Sequence, residues 1–580
     1  MPDRPAVPAS DEPRGVPPQV PPLVPPLHGR VHPLSEQPPL PHDRVILHEA
    51  PDEEAVPMDV LFVGGGPAGL AGAIELARLV KADNEAGGGL GDIEIGVLEK
   101  AAALGEHSLS GAVLNPGPFR ELFPDLAMED FPFRRPVSSE AVYFLRENGA
   151  TRLPTPPSMR NHGNWVASLS EVVRWMGERA EELGVNVFPG FPVSSLLAED
   201  RRVVGVRTTP AGLGRDGEPG PGHEPAMDLT ARVTVLSEGT RGLLTQAWNG
   251  WQGTTSANPQ IYALGVKELW ETKKPLDRVI HTLGWPLPGS AFGGSWMYPM
   301  EDNLVSLGLV VGLDYPDARL DVHELLQRMK LHPLFREILE GGEMVEWGAK
   351  TIPEGGFHAL ADRRHGDGCL VIGDSAGYVD VPSLKGIHYA AYSGMLAARA
   401  IFRALKADDT SEAGLRSYTE SVDQSFIVSD MKKTRNMRLA FKSGFVSGGM
   451  KAGLMTLTGG RFPGGRIAAE EDAAEPRELS PTPPAPFVPD GQLTFSKLDA
   501  VYKSGNATRD DIPSHLVVGE DVSAEMAEFL SCMCPAGVYE RDGDRLVVNA
   551  PNCVDCKATD VVGPRWTPRE GGSGPSYRRM

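Results

Sequence analysis

Short apolar runs rich in β-formers recur along the chain, and several stop at a glycine or an acidic residue. Val60-Leu61-Phe62-Val63 runs into Gly64, and Ile93 to Leu98 runs into Glu99. Ala231 to Leu236 runs into Ser237-Glu238-Gly239, and Cys369 to Ile372 runs into Gly373-Asp374. Runs of this length and composition predict buried strands. Between them the period changes. Leu70 to Val80 repeats apolar residues at helical spacing, and Tyr389 to Leu405 predicts a long helix. A further helix runs to Leu183, with Ser168 or Ser170 as its cap. Val203 to Thr208 reads as one arm of a meander, and Val305 to Leu313 as another apolar strand within a strand-rich stretch, 258–360.

The first strand, turn and helix carry chemistry. Gly64-x-Gly66-x-x-Gly69 stands directly between Val63 and the helix. The first glycine permits a tight turn, the second lets backbone approach a pyrophosphate, and the third lets helix and strand pack closely. The helix N-terminus faces the phosphates with its partial positive charge. Glu99, at the end of the next strand, suits a ribose hydroxyl pair. The Gly-rich insert 86–92 accounts for its long spacing from Gly69. The loop 101–115, with Ser108, Ser110 and Gly111, is small enough to lie against a ligand. Gly373-Asp374, then Gly386 at the start of the long helix, reads as the second half of a flavin site. The Asp accepts from a ribityl hydroxyl, and the helix N-terminus stabilises negative charge on reduced flavin. Cys369 reads as a small core residue and His388 as structural.

Composition narrows the setting. The balance of 56 basic against 77 acidic residues, net −21, argues against a general nucleic-acid binder. No apolar run reaches membrane-spanning length, so membrane contact is expected to be peripheral. Residues 1–57 are Pro-rich and polar and read as a flexible arm without a signal-peptide core or ordinary transit peptide. Residues 441–463 mix Phe, Met and Leu with Gly and Lys, which fits either a membrane-surface segment or a packed helix pair. Residues 464–490 turn acidic and Pro-rich, as a linker does. Four of the five cysteines lie near the C-terminus: Cys532, Cys534, Cys553 and Cys556. Soft thiolates at CxCP and CxxC spacing fit an iron–sulfur site, with zinc as the competing metal. Phe292-Gly293-Gly294 offers backbone to a flat ligand or makes a hairpin turn.

These pieces together resemble the electron transfer flavoprotein–ubiquinone oxidoreductase family, from about Met58 to Met580. The stretches that carry the resemblance include VGGGPAGL, LGEHSLSGA, HTLGWPL, GGSW, GDSAGYVDVPSLKGIH, CPAGVYE, NCVDCK and EGGSGPSY. The resemblance implies α/β and α+β architecture. A Rossmann-like FAD-binding domain (58–257 and 361–440) is interrupted by a sheet-rich quinone-binding region (258–360), and 491–580 forms a ferredoxin-like iron–sulfur module. It implies a monotopic enzyme that takes electrons from reduced electron transfer flavoprotein and reduces a membrane quinone, ubiquinone or menaquinone. Gly64, Gly66, Gly69, Glu99 and Ser110 would hold FAD, with Gly373, Asp374 and Gly386. Phe292, Gly293 and Gly294 would contact quinone. Cys534, Cys553 and Cys556 match three ligands of a [4Fe–4S] cluster. Thr559 stands where the family pattern has the fourth cysteine, which makes Cys532 the favoured substitute, with Asp560, a three-iron cluster or no cluster as alternatives. The expected location is the cytoplasmic face of a bacterial inner membrane. Two other readings remain: a geranylgeranyl reductase-like flavin enzyme, and a flavin-binding partner protein that has lost its electron path.

Overall fold

The computed structural model describes residues 27–580 except 302, 463 and 481–484. The apolar runs predicted as strands build one twisted sheet. Its order is Asn186–Pro189, Ile95–Glu99, Val56–Val63, Asp228–Leu236, Arg202–Thr208, Val193–Glu199 and Ile46–Leu47. Cys369–Val371 pairs parallel with Asp228–Leu236, and so does Val56–Val63. All the ligand-facing strand ends therefore emerge at the same edge of the parallel part, where open α/β sheets bind ligands.

Helix Pro67–Glu85 and helix Ile387–Lys406 cross over this sheet. Small residues set how close they come. A Cβ on Gly394 would lie 2.1 Å from the Ala68 carbonyl oxygen, and one on Gly72 would lie 2.6 Å from the Phe62 ring. Helix Leu169–Glu182 covers the same face, capped by Ser168 Oγ, which accepts from Glu171 N.

The second sheet is longer than the strand-rich stretch alone supplies. Its order is Glu343–Pro353, Tyr262–Glu271, Leu304–Gly312, Gly293–Pro299, Val279–Gly284, Glu140–Arg146 and Gly149–Leu153. The last two strands come from within the expected dinucleotide region, because Val279–Gly284 pairs parallel with Glu140–Arg146. Helices Val322–Lys330 and Pro333–Leu339 pack beside this sheet. Its apolar core is continuous with that of the C-terminal module: Leu264, Val266 and Leu307 share a cluster with Met526, Leu530 and Cys534.

Two expected boundaries are corrected. The flexible arm does not extend to residue 57, because Gly29–Val31 pairs with Arg477–Leu479 and Gln37 Nε2 donates to the carbonyls of Asp560 and Gly563. Residues 1–26 lie outside the described residues. The supposed linker 464–490 supplies that second strand, and it buries Asp472 and Arg477. Arg477 donates to the carbonyls of Leu313 and Asp472. Low apolar content concealed this order, since these segments are held by backbone and ionic contacts and by a few apolar residues, such as Val31, Ile46 and Leu479, that join cores built elsewhere in the chain.

Candidate functional site

A cavity of about 340 Å³ opens at the strand ends. Gly64, Gly66, Glu99, Ser110, Gly373, Asp374 and Gly386 all line it, so residues more than 300 positions apart in sequence meet at one place. The glycine turn has the required form. Gly64 has φ +114°, and a Cβ there would lie 2.3 Å from the Ser237 carbonyl oxygen. A Cβ on Gly69 would lie 2.2 Å from the Gly64 carbonyl oxygen, so this glycine packs helix on strand and does not line the cavity. No atom lies within 4 Å of the Cβ position of Gly66, the N-cap of helix Pro67–Glu85, so backbone there is open to a ligand. Glu99 accepts from the amides of Gly65 (3.0 Å) and Ala101 (2.9 Å), which fixes its carboxylate at the cavity wall.

On the far side, burial pushes the Asp374 carboxyl up to about 6, opposed by the charge of Lys350. Burial in turn pulls the Lys350 ammonium down to about 8. Both side chains line the cavity. His388 is buried, its imidazole pulled down to about 3 by that burial, stacked on Phe426 and tilted against Tyr389. Cys369 is buried within its strand.

Sequence reasoning missed Trp296 and Tyr298, which bring the second sheet to the cavity. The Tyr298 phenol is 2.6 Å from Nε2 of the buried His281. Only strand alternation around the glycine pair would have pointed to them. Phe292, Gly293 and Gly294 do not line this cavity. The glycines sit at the start of strand Gly293–Pro299, where a Cβ on Gly293 would lie 2.1 Å from the Val310 carbonyl oxygen. Phe292 packs against Phe441 and beneath the Arg438 guanidinium, 4.0 Å from its ring centroid.

The C-terminal cysteines form a second site. Cys534, Cys553 and Cys556 wall one small buried cavity together with Thr559, Tyr539 and Trp566. Three soft thiols converging in a buried space suit an iron–sulfur cluster. Cys532 does not wall it. That residue lies near the end of helix Ala524–Met533, in the electrostatic reach of Asp321, Lys497 and Glu528. Asp560 is engaged elsewhere, accepting from Arg241 Nε (2.9 Å), Gln246 Nε2 (3.1 Å) and Trp566 N (3.0 Å). The two cavities share a wall: Lys557 and Trp566 line both. The Thr351 amide donates to the Cys556 carbonyl (3.0 Å), which ties the second sheet to the thiol loop.

A parallel sheet with a glycine turn, a second sheet over the same cavity and an adjoining thiol site define a dinucleotide-dependent oxidoreductase with a metal module. Comparison with known proteins is more particular. Residues 262–352 match the family model for the ubiquinone-binding region of ETF-QO, and residues 491–578 match that for the 4Fe-4S region of electron transfer flavoprotein-ubiquinone oxidoreductase. The mitochondrial electron transfer flavoprotein-ubiquinone oxidoreductase of Oryza sativa is 38% identical, over 91% of this chain and 94% of its own length. A probable bacterial counterpart from Acinetobacter baylyi is 36% identical over 91% and 99%, and the human mitochondrial protein 38% over 90% and 89%. The chain belongs to the electron transfer flavoprotein–ubiquinone oxidoreductase family, and is an electron-transferring-flavoprotein dehydrogenase. Among solved structures, a geranylgeranyl bacteriochlorophyll reductase-like protein of Thermoplasma acidophilum covers 69% of this chain and 96% of its own at TM-score 0.52 and 18% identity. That likeness is one of fold alone.

Proposed function

We propose that this chain accepts electrons from reduced electron transfer flavoprotein and delivers them to a membrane quinone, using FAD in the larger cavity and an iron–sulfur cluster in the thiol cavity. The observation that carries this is the shared wall. Lys557 and Trp566 separate two redox sites by a single layer of side chains, so electrons need not cross solvent.

Gly64 and Gly66 would bring backbone to the pyrophosphate, with Gly69 keeping the helix close enough to present its N-terminus. Glu99 would take the ribose hydroxyls and Asp374 the ribityl chain, with Gly386 opening the helix below the flavin and Ser110 closing the loop side. When bound, FAD supplies a carrier able to take electrons singly or in pairs, as joining a flavoprotein donor to a quinone requires. The cluster supplies a one-electron carrier held by Cys534, Cys553 and Cys556. The chain itself would hold these groups in place. Lys350 at the larger cavity and Lys557 at the wall of both would place cations that favour added electrons. The Tyr298–His281 pair holds a phenolic proton at the cavity wall.

The quinone would enter past Phe292, Gly293 and Gly294, which the Phe292–Phe441 contact places beside the segment leading into helix Phe445–Leu457. That helix is too short to cross a membrane, and among the described residues no helix is long and apolar enough to do so. Met450, Leu454, Leu457 and Phe462 are exposed on this segment, and Leu457 is 84% exposed. We take this surface to rest on the cytoplasmic face of a bacterial inner membrane, with quinone drawn from the bilayer.

The test is anaerobic oxidation of reduced electron transfer flavoprotein by the purified protein with a short-chain quinone. Catalytic return of the donor's oxidised-flavin absorbance is expected. Protein that carries FAD yet leaves the donor reduced would instead identify a flavin-binding partner protein. Reduction of a prenyl double bond without quinone reduction would identify the reductase alternative.

A further inference from the structure

The thiol cavity has three sulfur donors and a fourth wall without one. Cys534, Cys553 and Cys556 are buried, and among the described residues no other thiol lines the space. Thr559 lines the same space. Its Oγ1 accepts from the buried Tyr539 phenol (3.4 Å). A neutral hydroxyl is a hard, weakly binding donor, whereas the irons of such clusters are held by thiolate.

The nearby acids are committed. Asp560 is engaged as described above. Asp555 accepts from Lys100 (2.5 Å), Trp566 Nε1 (3.0 Å) and Arg569 (3.0 Å). Cys532 lies outside the cavity and its peptide carbonyl accepts from Lys497. One rival remains. His515 is buried with both ring nitrogens unpartnered, and it can bring a nitrogen within 4.8 Å of Cys553 Sγ and an Asp555 oxygen. It does not wall the cavity, and its place beside Cys553 and Asp555 is the one the test below addresses with a variant of its own.

We propose that the cluster is anchored by three thiolates only, with the Thr559 hydroxyl facing its fourth iron, so that this iron is exchangeable. This rests on the cluster reading above. Under a one-electron oxidant such as ferricyanide, [4Fe–4S]²⁺ gives [3Fe–4S]⁺ and Fe²⁺, and the electron passes to the oxidant. The iron–sulfide bonds to the fourth iron break while every thiolate bond stays. A one-electron reductant with added Fe²⁺ reverses the step.

The experiment is iron and acid-labile sulfide per chain, with electron paramagnetic resonance, on anaerobically purified full-length protein before and after stoichiometric ferricyanide. The expected result is loss of about one iron in four with sulfide unchanged, and an oxidised-state three-iron signal that dithionite plus Fe²⁺ removes. Thr559→Cys should hold all its iron through the same treatment, and Cys532→Ala and His515→Ala should behave as the unaltered chain. Retention of all iron by the unaltered chain would overturn the proposal. Protein in which Cys532→Ala or His515→Ala alone produces the three-iron signal before oxidation would assign that residue as the fourth ligand and overturn it as well. Absence of iron and sulfide in protein handled anaerobically throughout would instead overturn the cluster reading on which it rests.

Discussion

The Lys557 ammonium lies 4.4 Å from the centroid of the Trp566 ring, and these two side chains form the partition between the dinucleotide and thiol cavities. Lys557 also donates to the Arg241 carbonyl (3.2 Å), which anchors the partition to the first sheet's loop. A buried cation beside a redox centre stabilises the reduced, more negative form. At an effective dielectric near 20 and roughly 8 Å, one charge is worth about 2 kcal/mol. Lys557→Met is therefore expected to move the potentials of both centres to more negative values, and Lys557→Arg to restore them. Redox titration of the flavin absorbance and the cluster signal checks this.

The turn at Gly64 makes a second prediction. A side chain there meets the Ser237 carbonyl oxygen at 2.3 Å in a backbone conformation with φ +114°. Gly64→Ala should cost roughly 1–3 kcal/mol of stability through strain. It should also purify with less than half the flavin of the unaltered chain, read as the ratio of 450 to 280 nm absorbance, about the cavity it distorts.

The second sheet contains an ion pair removed from water. Lys330 Nζ stands 2.8 Å from Glu268 Oε2, with both side chains fully buried. Glu268 also accepts from Trp270 Nε1 (2.7 Å) and Gln327 Nε2 (2.9 Å). Lys330→Met leaves a charged carboxylate without its counter-ion and should destabilise the protein by about 3–5 kcal/mol. The double change Lys330→Met with Glu268→Gln should recover much of that loss. Chemical denaturation midpoints compare the two.

Asp472 gives a pH dependence. Burial, reinforced by the Asp314 charge, pushes its carboxyl up to about 7 although the Tyr262 amide donates to it. Below about 4 the group is protonated in folded and unfolded chains alike. Between about 4 and 7 only the folded chain retains the proton, so its contribution to stability falls as pH rises, by up to about 1.4 kcal/mol per unit. Asp472→Asn should flatten this decline. Urea midpoints at pH 5 and pH 8 measure it: the difference between the two should shrink in the variant.

The glycine turn, the Gly373-Asp374 strand end and the cysteine spacings were legible because each is local. A glycine needed for positive φ, or two thiols on one loop, leaves its mark within a few residues. Apolar periodicity likewise placed the strands through Val63 and Leu236 and the helix through Leu405. Less legible were segments whose order comes from distant partners. Gly29–Val31 pairs with Arg477–Leu479 through backbone hydrogen bonds, to which side-chain hydropathy is blind. The second sheet recruits Glu140–Arg146 by the same means.

The sequence by itself determined the chemistry available: a glycine turn after Val63, a Gly-Asp strand end at 373–374, three closely spaced cysteines and a threonine at position 559. Tertiary structure alone decided how these are arranged. It gathered residues from 64 to 386 around one cavity, set Trp296 and Tyr298 into its wall, and left Cys532 outside the thiol site while bringing Thr559 into it. The reason is geometric. Which face of a helix end or loop meets a cavity depends on the core it packs against, here one shared by the second sheet and the C-terminal module, and spacing along the chain does not encode that direction.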